Sequence, residues 1–308
     1  MTRFIHDQFA KDYLEELLAP YGVVKAPRRV SGEVREIDIY FDPNFDHPPT
    51  NLGNLGLLGR MAQTPVLIEP FRNAASDDEI CDCLLKLLEV RGELQREAHR
   101  NQVKLPKAKR PKLWVLTPTA SANLLGDLDA KADDKWLPGV YFMAKTLRTV
   151  IVVIHKLPRS QETLWLRVLG RGKVQRQAID ELEEMPVNNP LRGQILRLLY
   201  NLRKHLEFRQ DLGKGDRKLI MRLAPLYQQD REQAILEGEQ RGEQRGIQQG
   251  ERLIVNNLLQ ERFGDVDEQL AAIIEPLLAL PPEEFTPMLL QLSQLSREEL
   301  LARFHQSN

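Results

Sequence analysis

The sequence predicts an α/β fold, a mixed sheet within residues 1–172 followed by an all-helical C-terminal region. Three observations predict it. Apolar runs of strand length, Val66-Leu67-Ile68, Leu113-Trp114-Val115-Leu116-Thr117 and Val150-Ile151-Val152-Val153-Ile154, have the composition of strands covered on both faces. Segments with apolar residues at helical spacing alternate with these runs, the order of a mixed sheet packed by helices. From Val174 onward the character is helical, with Pro186, Pro190 and Gly213 as separators.

Taken in order, 7–18 carries Phe9, Tyr13, Leu14, Leu17 and Leu18 on one stripe ahead of Pro20, which predicts an amphipathic first helix. Val23 to Val30 and Val34 to Phe41 form the arms of a hairpin about Ser31-Gly32-Glu33, with Asp38 inside the second arm. Residues 43–64, with Pro48-Pro49 and three glycines, form a long loop or a short irregular helix. Asp77 to Arg100 is the main helix packed on the sheet, with Ser76 as its N-cap and acids in its first turn. Val140-Tyr141-Phe142 and Thr163 to Val168 add further short strands.

A helical extension occupies 173–230 and a glycine-punctuated helical linker 231–252. In the linker Gly238, Gly242, Gly246 and Gly250 recur every fourth residue. Each interior glycine costs a helix about 1 kcal/mol relative to alanine. The tract is therefore either a fraying linker or a small-residue stripe that lets helices approach closely in a homo-oligomer. Residues 253–308 form a small helical module in which Gly264 is a helix stop.

Composition bounds the function. The chain has 308 residues, 42% hydrophobic and 28% charged, with a formal net charge of −1, so total charge does not announce a nucleic-acid partner. No run has the length of a membrane span and the first residues lack the apolar core of a secretory signal, so a cytoplasmic location without a membrane partner is expected. Cys81 and Cys83 stand two apart in a helical segment, where their side chains diverge, and read as reduced thiols. The six histidines have no zinc spacing, and His6 reads as a surface residue. Phosphate loops, dinucleotide fingerprints and nucleophile elbows are absent from the sequence.

Two carboxylates stand in apolar strands: Asp38 in Arg35-Glu36-Ile37-Asp38-Ile39-Tyr40-Phe41, and Glu69 at the end of Pro65-Val66-Leu67-Ile68-Glu69. An ionised acid there carries a desolvation cost unless it is paired or holds a cation. Two that converge make a hard-metal site for which Mg²⁺ is the natural ion. Asp38 is alternatively paired with Arg35 or another cation, and Glu69 alternatively caps a turn before Pro70. Glu15, Glu16 and Glu36 are weaker candidates, read first as solvated acids. Basic groups that can meet DNA phosphates are Arg28-Arg29, the run Lys104, Lys107, Lys109, Arg110 and Lys112, and Arg171, Lys173 and Arg176. A solvated charged loop is the other reading of the central run.

The first helix, the Arg-Glu-Ile-Asp38 hairpin, the Leu-Ile-Glu69 strand, the long helix after it, the Trp114-Val-Leu-Thr strand and the glycine tract together resemble the Rpn group of recombination-promoting nucleases and transposases. That group lies in the PD-(D/E)xK nuclease superfamily, and the resemblance covers about residues 1–230; residues from about 252 to 305 resemble a helical module of unknown function. The resemblance implies a restriction-endonuclease-like core over 1–172 and Mg²⁺-dependent hydrolysis of DNA. Asp38 and Glu69 would be the metal ligands and Arg72 a further candidate catalytic residue. The lysine that the superfamily places two positions after its second acid is replaced here by Phe71, and Lys86 on the next helix is a lysine that could reach inward instead. Two further readings stand beside the enzyme: a catalytically inactive DNA-binding or assembly protein on the same fold, and an interaction protein that oligomerises through the glycine tract and C-terminal helices.

Overall fold

A computed structural model describes residues 2–26, 28–30, 35–43, 52–210, 212–292 and 294–305. The chain divides into two compact units, Met1–Tyr227 and Gln228–Asn308. The first opens with helix α1 (Thr2–Leu18), whose Phe9, Tyr13, Leu14, Leu17 and Leu18 are buried as their spacing predicts. The Tyr13 hydroxyl donates to the Trp165 carbonyl at 2.8 Å, which satisfies the one polar atom of a fully buried ring.

The hairpin comes in two pieces. Strand β1 (Gly22–Lys25) continues as β2 (Arg28–Val30) on the outward arm, and β3 (Arg35–Ile37) continues as β4 (Ile39–Pro43) on the return. β1 pairs antiparallel with β4 in the main sheet, while β2 pairs with β3 in a separate two-stranded sheet. Asp38 therefore lies in a bend between β3 and β4 and not within a strand, which corrects the sequence expectation. In the sequence a proline, which has no N–H to give to a ladder, falls between the residues of β1 and those of β2. The Ser31-Gly32-Glu33 turn lies outside the described residues.

Helix α2 (Gly56–Met61) follows a 3₁₀ turn at Leu52–Leu55 and leads into β5 (Val66–Pro70). Next come α3 (Asp77–Arg100), β6 (Lys112–Thr117), α4 (Ala122–Asp127), β7 (Lys131–Ala132), β8 (Val140–Phe142) and β9 (Thr149–Val153). The main sheet has seven strands in the order β1-β4-β5-β6-β9-β8-β7. β5, β6 and β9 run parallel, and the other neighbours pair antiparallel. The molecule is thus an α/β protein with a mixed sheet and many helices.

Strand alternation distributes the core to two layers. Ile39, Phe41, Val66, Ile68, Trp114, Leu116, Val150 and Val152 join the larger core, which α1, α2 and the later helices of this unit cover. Tyr40, Leu67, Leu113, Val115, Ile151 and Val153 face the other way, onto Ile80, Cys83, Leu87 and Val90 of α3. α3 starts in a capping box: Ser76 Oγ accepts from the Glu79 N–H and Glu79 Oε2 accepts from the Ser76 N–H.

After a 3₁₀ turn at Gln161–Thr163 comes α5 (Leu164–Val168), where a strand was expected. All five residues of α5 are buried, and a short run without exposed positions has no periodicity to separate strand from helix. Arg167 gives the reason for the helix: its Nε donates to Thr163 Oγ1 one turn earlier, and its Nη1 donates to Glu181 Oε1 at 2.9 Å. α6 (Gly172–Glu183), α7 (Pro190–Glu207) and the start of α8 (Lys214–Phe263) complete the first unit. Cys81 is exposed, Cys83 is buried, and both are free thiols.

In the second unit the remainder of α8 is followed by α9 (Glu268–Leu278), α10 (Pro282–Gln291) and α11 (Arg297–His305). Their core is Val255, Leu259, Leu270, Ile273, Ile274, Leu277, Leu292 and Leu300. Gly264, at φ +79°, ends α8 in the left-handed conformation that glycine adopts without strain. The four tract glycines lie within the unbroken helix, and a Cβ added at any of them would meet open space. Among the described residues no helix is long and apolar enough to cross a membrane.

Candidate functional site

Glu69 shares its face of β5 with Leu67, so it points into the layer beneath α3. Its side chain is 3% exposed. In the β4–β5 ladder Ile39 lies opposite Ile68 and Tyr40 opposite Leu67, and one further step in this register sets Asp38 opposite Glu69. The bend at Asp38 frees its backbone N–H from strand pairing, and that N–H donates to Glu69 Oε1 at 3.4 Å. The two acids named from the sequence are therefore brought together, linked by the main chain of one and the side chain of the other.

Each acid has its own lysine. Lys86 Nζ donates to Glu69 Oε2 at 2.8 Å, and Lys11 Nζ lies 2.8 Å from Asp38 Oδ1. Lys86 comes from α3, where Glu79, Asp82, Cys83 and Lys86 recur at i, i+3, i+4 and i+7 and form one wall of a cleft of about 250 Å³. Asp7, Asp38, Glu69, Pro70, Phe71 and Arg72 complete its lining. Carboxylates from Asp7, Asp38, Glu69, Glu79 and Asp82 outnumber Arg72 and Lys86 there, so the cleft favours cations.

Burial is the chief cause that pushes the Glu69 carboxyl up to about 7; the Asp38 charge adds to it, and the Lys86 ammonium only partly reverses both. Burial pulls Lys86 down, yet Glu69 more than reverses this, so its ammonium is held above the ordinary value. Lys86 is therefore a fixed positive charge at neutral pH and not a base. Burial also raises the Cys83 thiol, with Glu69 adding to the effect, which leaves that sulfur unreactive.

Arg72 is committed elsewhere. Its Nη1 donates to the Gly170 carbonyl at 3.2 Å, and its Nη2 pairs with Asp216 Oδ1 at 3.0 Å. His6 Nε2 lies 3.0 Å from the same Asp216 oxygen. His6 is 5% exposed, which corrects its reading as a surface residue. Burial is the main cause that lowers the His6 imidazole, the Asp216 hydrogen bond opposes it, and the Arg72 charge lowers it further. The hydrogen bond from His6 leads in holding Asp216 below the usual carboxylate range, and Arg72 assists. This cluster borders a cavity of about 20 Å³, room for about one water molecule.

The remaining candidates separate in space. Glu15 is exposed and Glu16 half-buried, and neither lines the cleft; Glu36 lies on β3 opposite Arg29 and does not line it either. From α1 the cleft takes Asp7, and Lys11 one turn later reaches Asp38; no motif marks either residue. Lys112 opens β6 opposite Val66, at the far end of β5 from Glu69, so the Lys104–Lys112 run leads to the opposite end of the central strands. Arg171 is nearer: its Nη1 donates to Asn73 Oδ1 at 2.6 Å, just past the Glu69 strand end. The side chains of Arg28 and Arg29 lie outside the described residues.

Among the described residues no group of three or more His, Cys, Asp or Glu side chains is placed to hold a metal ion. Asp38 and Glu69 both line the cleft, and this pair matches the donor chemistry of Mg²⁺, which commonly takes one or two carboxylates and fills its remaining places with water and phosphate oxygens. Glu69 supplies the structural test of fit, a nearly buried carboxyl whose neighbours leave it undercompensated. No family model, no curated protein and no solved structure matches this chain.

Proposed function

We propose that the chain is a Mg²⁺-dependent DNA endonuclease with a restriction-endonuclease-like core, related to the Rpn recombination-promoting nucleases and transposases. One observation carries the reading: Asp38, Glu69 and Lys86 meet in an open cleft although they are far apart in sequence. Phe71 stands where the superfamily pattern has its lysine, and Lys86 puts an ammonium on the second acid from the neighbouring helix. Asp38 and Glu69 would hold the ion, which when bound would activate the attacking water and neutralise charge on the leaving oxygen. The Lys86 ammonium would orient the attacking water beside Glu69 and favour the negative charge that grows on the phosphoryl oxygens. In the reaction water oxygen bonds to phosphorus, the bond from phosphorus to one sugar oxygen breaks, and the water proton passes by way of solvent to that leaving oxygen. Arg171, whose guanidinium reaches Asn73 just past the Glu69 strand, would meet a neighbouring phosphate. A cytoplasmic location and self-association through the glycine tract belong to the same reading.

The test is nicking of supercoiled plasmid in Mg²⁺. Wild-type protein should nick, and Asp38→Ala, Glu69→Ala and Lys86→Ala should each lose about 10²-fold or more of the rate. Equal rates in wild type and all variants would reject the proposal. One observation favours the inactive DNA-binding or assembly protein: both acids are already paired with lysines. That reading predicts DNA binding without nicking and without a response to Mg²⁺.

A further inference from the structure

The two lysines of the cleft are not equivalent. The Lys86–Glu69 pair lies deep, with the carboxylate 3% exposed, and α3 packing fixes it. The Lys11–Asp38 pair lies at the mouth, with side chains 20% and 26% exposed. An ammonium 2.8 Å from Asp38 Oδ1 takes one of the acceptor directions of that carboxylate and neutralises its charge, so it competes with any other cation there. We propose that Lys11 is a built-in counter-ion of the cation site, which a divalent ion must displace from Asp38 in order to load.

The inference rests on the reading that Asp38 and Glu69 hold a divalent ion. Its physical basis is competition. A monovalent ion brings no more charge to Asp38 than Lys11 already supplies, and Lys11 is tethered, so its local concentration is high. A divalent ion brings two charges to two neighbouring carboxylates and gains from both. The Lys11–Asp38 pair is partly exposed, so solvent hydrates the released ammonium and offsets part of the lost attraction. Displacement therefore costs little, and Lys11 sets both the affinity of the site and its preference for double charge.

The experiment is calorimetric titration of the full chain with Mn²⁺, comparing wild type, Lys11→Met, Lys11→Arg and, as a control for general charge, Lys25→Met on the exposed end of β1. Lys11→Met should bind about three- to tenfold more tightly, the range set by losing one partly exposed pair. Lys25→Met should change affinity by less than about twofold. Lys11→Arg, which keeps the charge on Asp38, should bind no more tightly than wild type. Equal affinity in wild type and Lys11→Met, or the same gain in Lys25→Met, would overturn the inference and leave the divalent-ion reading standing. Absence of Mn²⁺ binding in every protein would overturn both.

Discussion

Two polar clusters flank the end of β5, and they differ in kind. The cluster of His6, Arg72 and Asp216 is closed: a planar guanidinium and an imidazole converge on one carboxylate around a cavity of about 20 Å³. The cluster of Asp38, Glu69, Lys11 and Lys86 lines or borders a cleft of about 250 Å³, and its carboxylates are held by flexible ammonium groups. Arg72 cannot leave its partners without exposing Asp216 and the Gly170 carbonyl, whereas Lys11 can exchange Asp38 for another anion or for water. The difference teaches how to tell a fastening from a site. A fastening satisfies its charges with rigid donors, and a site leaves one carboxyl undercompensated and open to a cation.

Three experiments would break or sharpen this contrast. The largest effect should come from Asp216→Ala, which strands Arg72 in a nearly buried position; a loss of about 3 kcal/mol in denaturant unfolding is expected. A loss below about 1 kcal/mol would mean that the closed cluster fastens nothing.

The second concerns pH, to which the two clusters respond with opposite sign. The Glu69 carboxyl is raised from 4.5 to about 7, so the folded chain binds the extra proton; its contribution is complete below about 4.5 and is lost as pH rises through about 7. His6 is lowered from 6.5, so its contribution is present above that value and is lost as pH falls through the folded value. Glu69→Gln should remove the loss on the alkaline side, about 2 kcal/mol after allowing for the partner that Lys86 gives up. His6→Gln should flatten the acid side alone. Chemical unfolding between pH 5 and 8 reads both, and identical profiles in wild type and variants would remove the basis of the comparison.

The smallest effect should follow Lys104→Glu, Lys107→Glu and Lys109→Glu combined. Because their run leads to the opposite end of the central strands from Glu69, the nicking rate at moderate salt should change by less than about threefold. A collapse of the rate would move the DNA path across the sheet.

Much of the fold was legible because it rests on local pattern. The apolar runs that became β5, β6 and β9, the Ser76 cap of α3 and the Gly264 stop all announce themselves within a few residues. Asp38 and Glu69 stand out for the same reason, since a carboxylate in an apolar run violates the pattern around it, although Asp38 proves to lie in a bend and not in a strand. Lys11 and Asp216 break no local rule. Each is an ordinary polar residue on a helix, and Asp216 meets His6 across 210 positions of sequence. The bend at Asp38 was missed because a continuous hairpin and a divided one have the same alternation. The helix at Leu164–Val168 was missed because all of its residues are buried.

The divided hairpin has a consequence for variation. β1 and β4 are tied to the main sheet and hold Asp38 at the start of β4, while β2 and β3 pair with each other as a sheet of their own. The outer half is nevertheless anchored, because Ile37 of β3 is fully buried in the layer beneath α3, one residue before the acid, so a change in β2 or β3 leaves Asp38 in place only while that contact is kept.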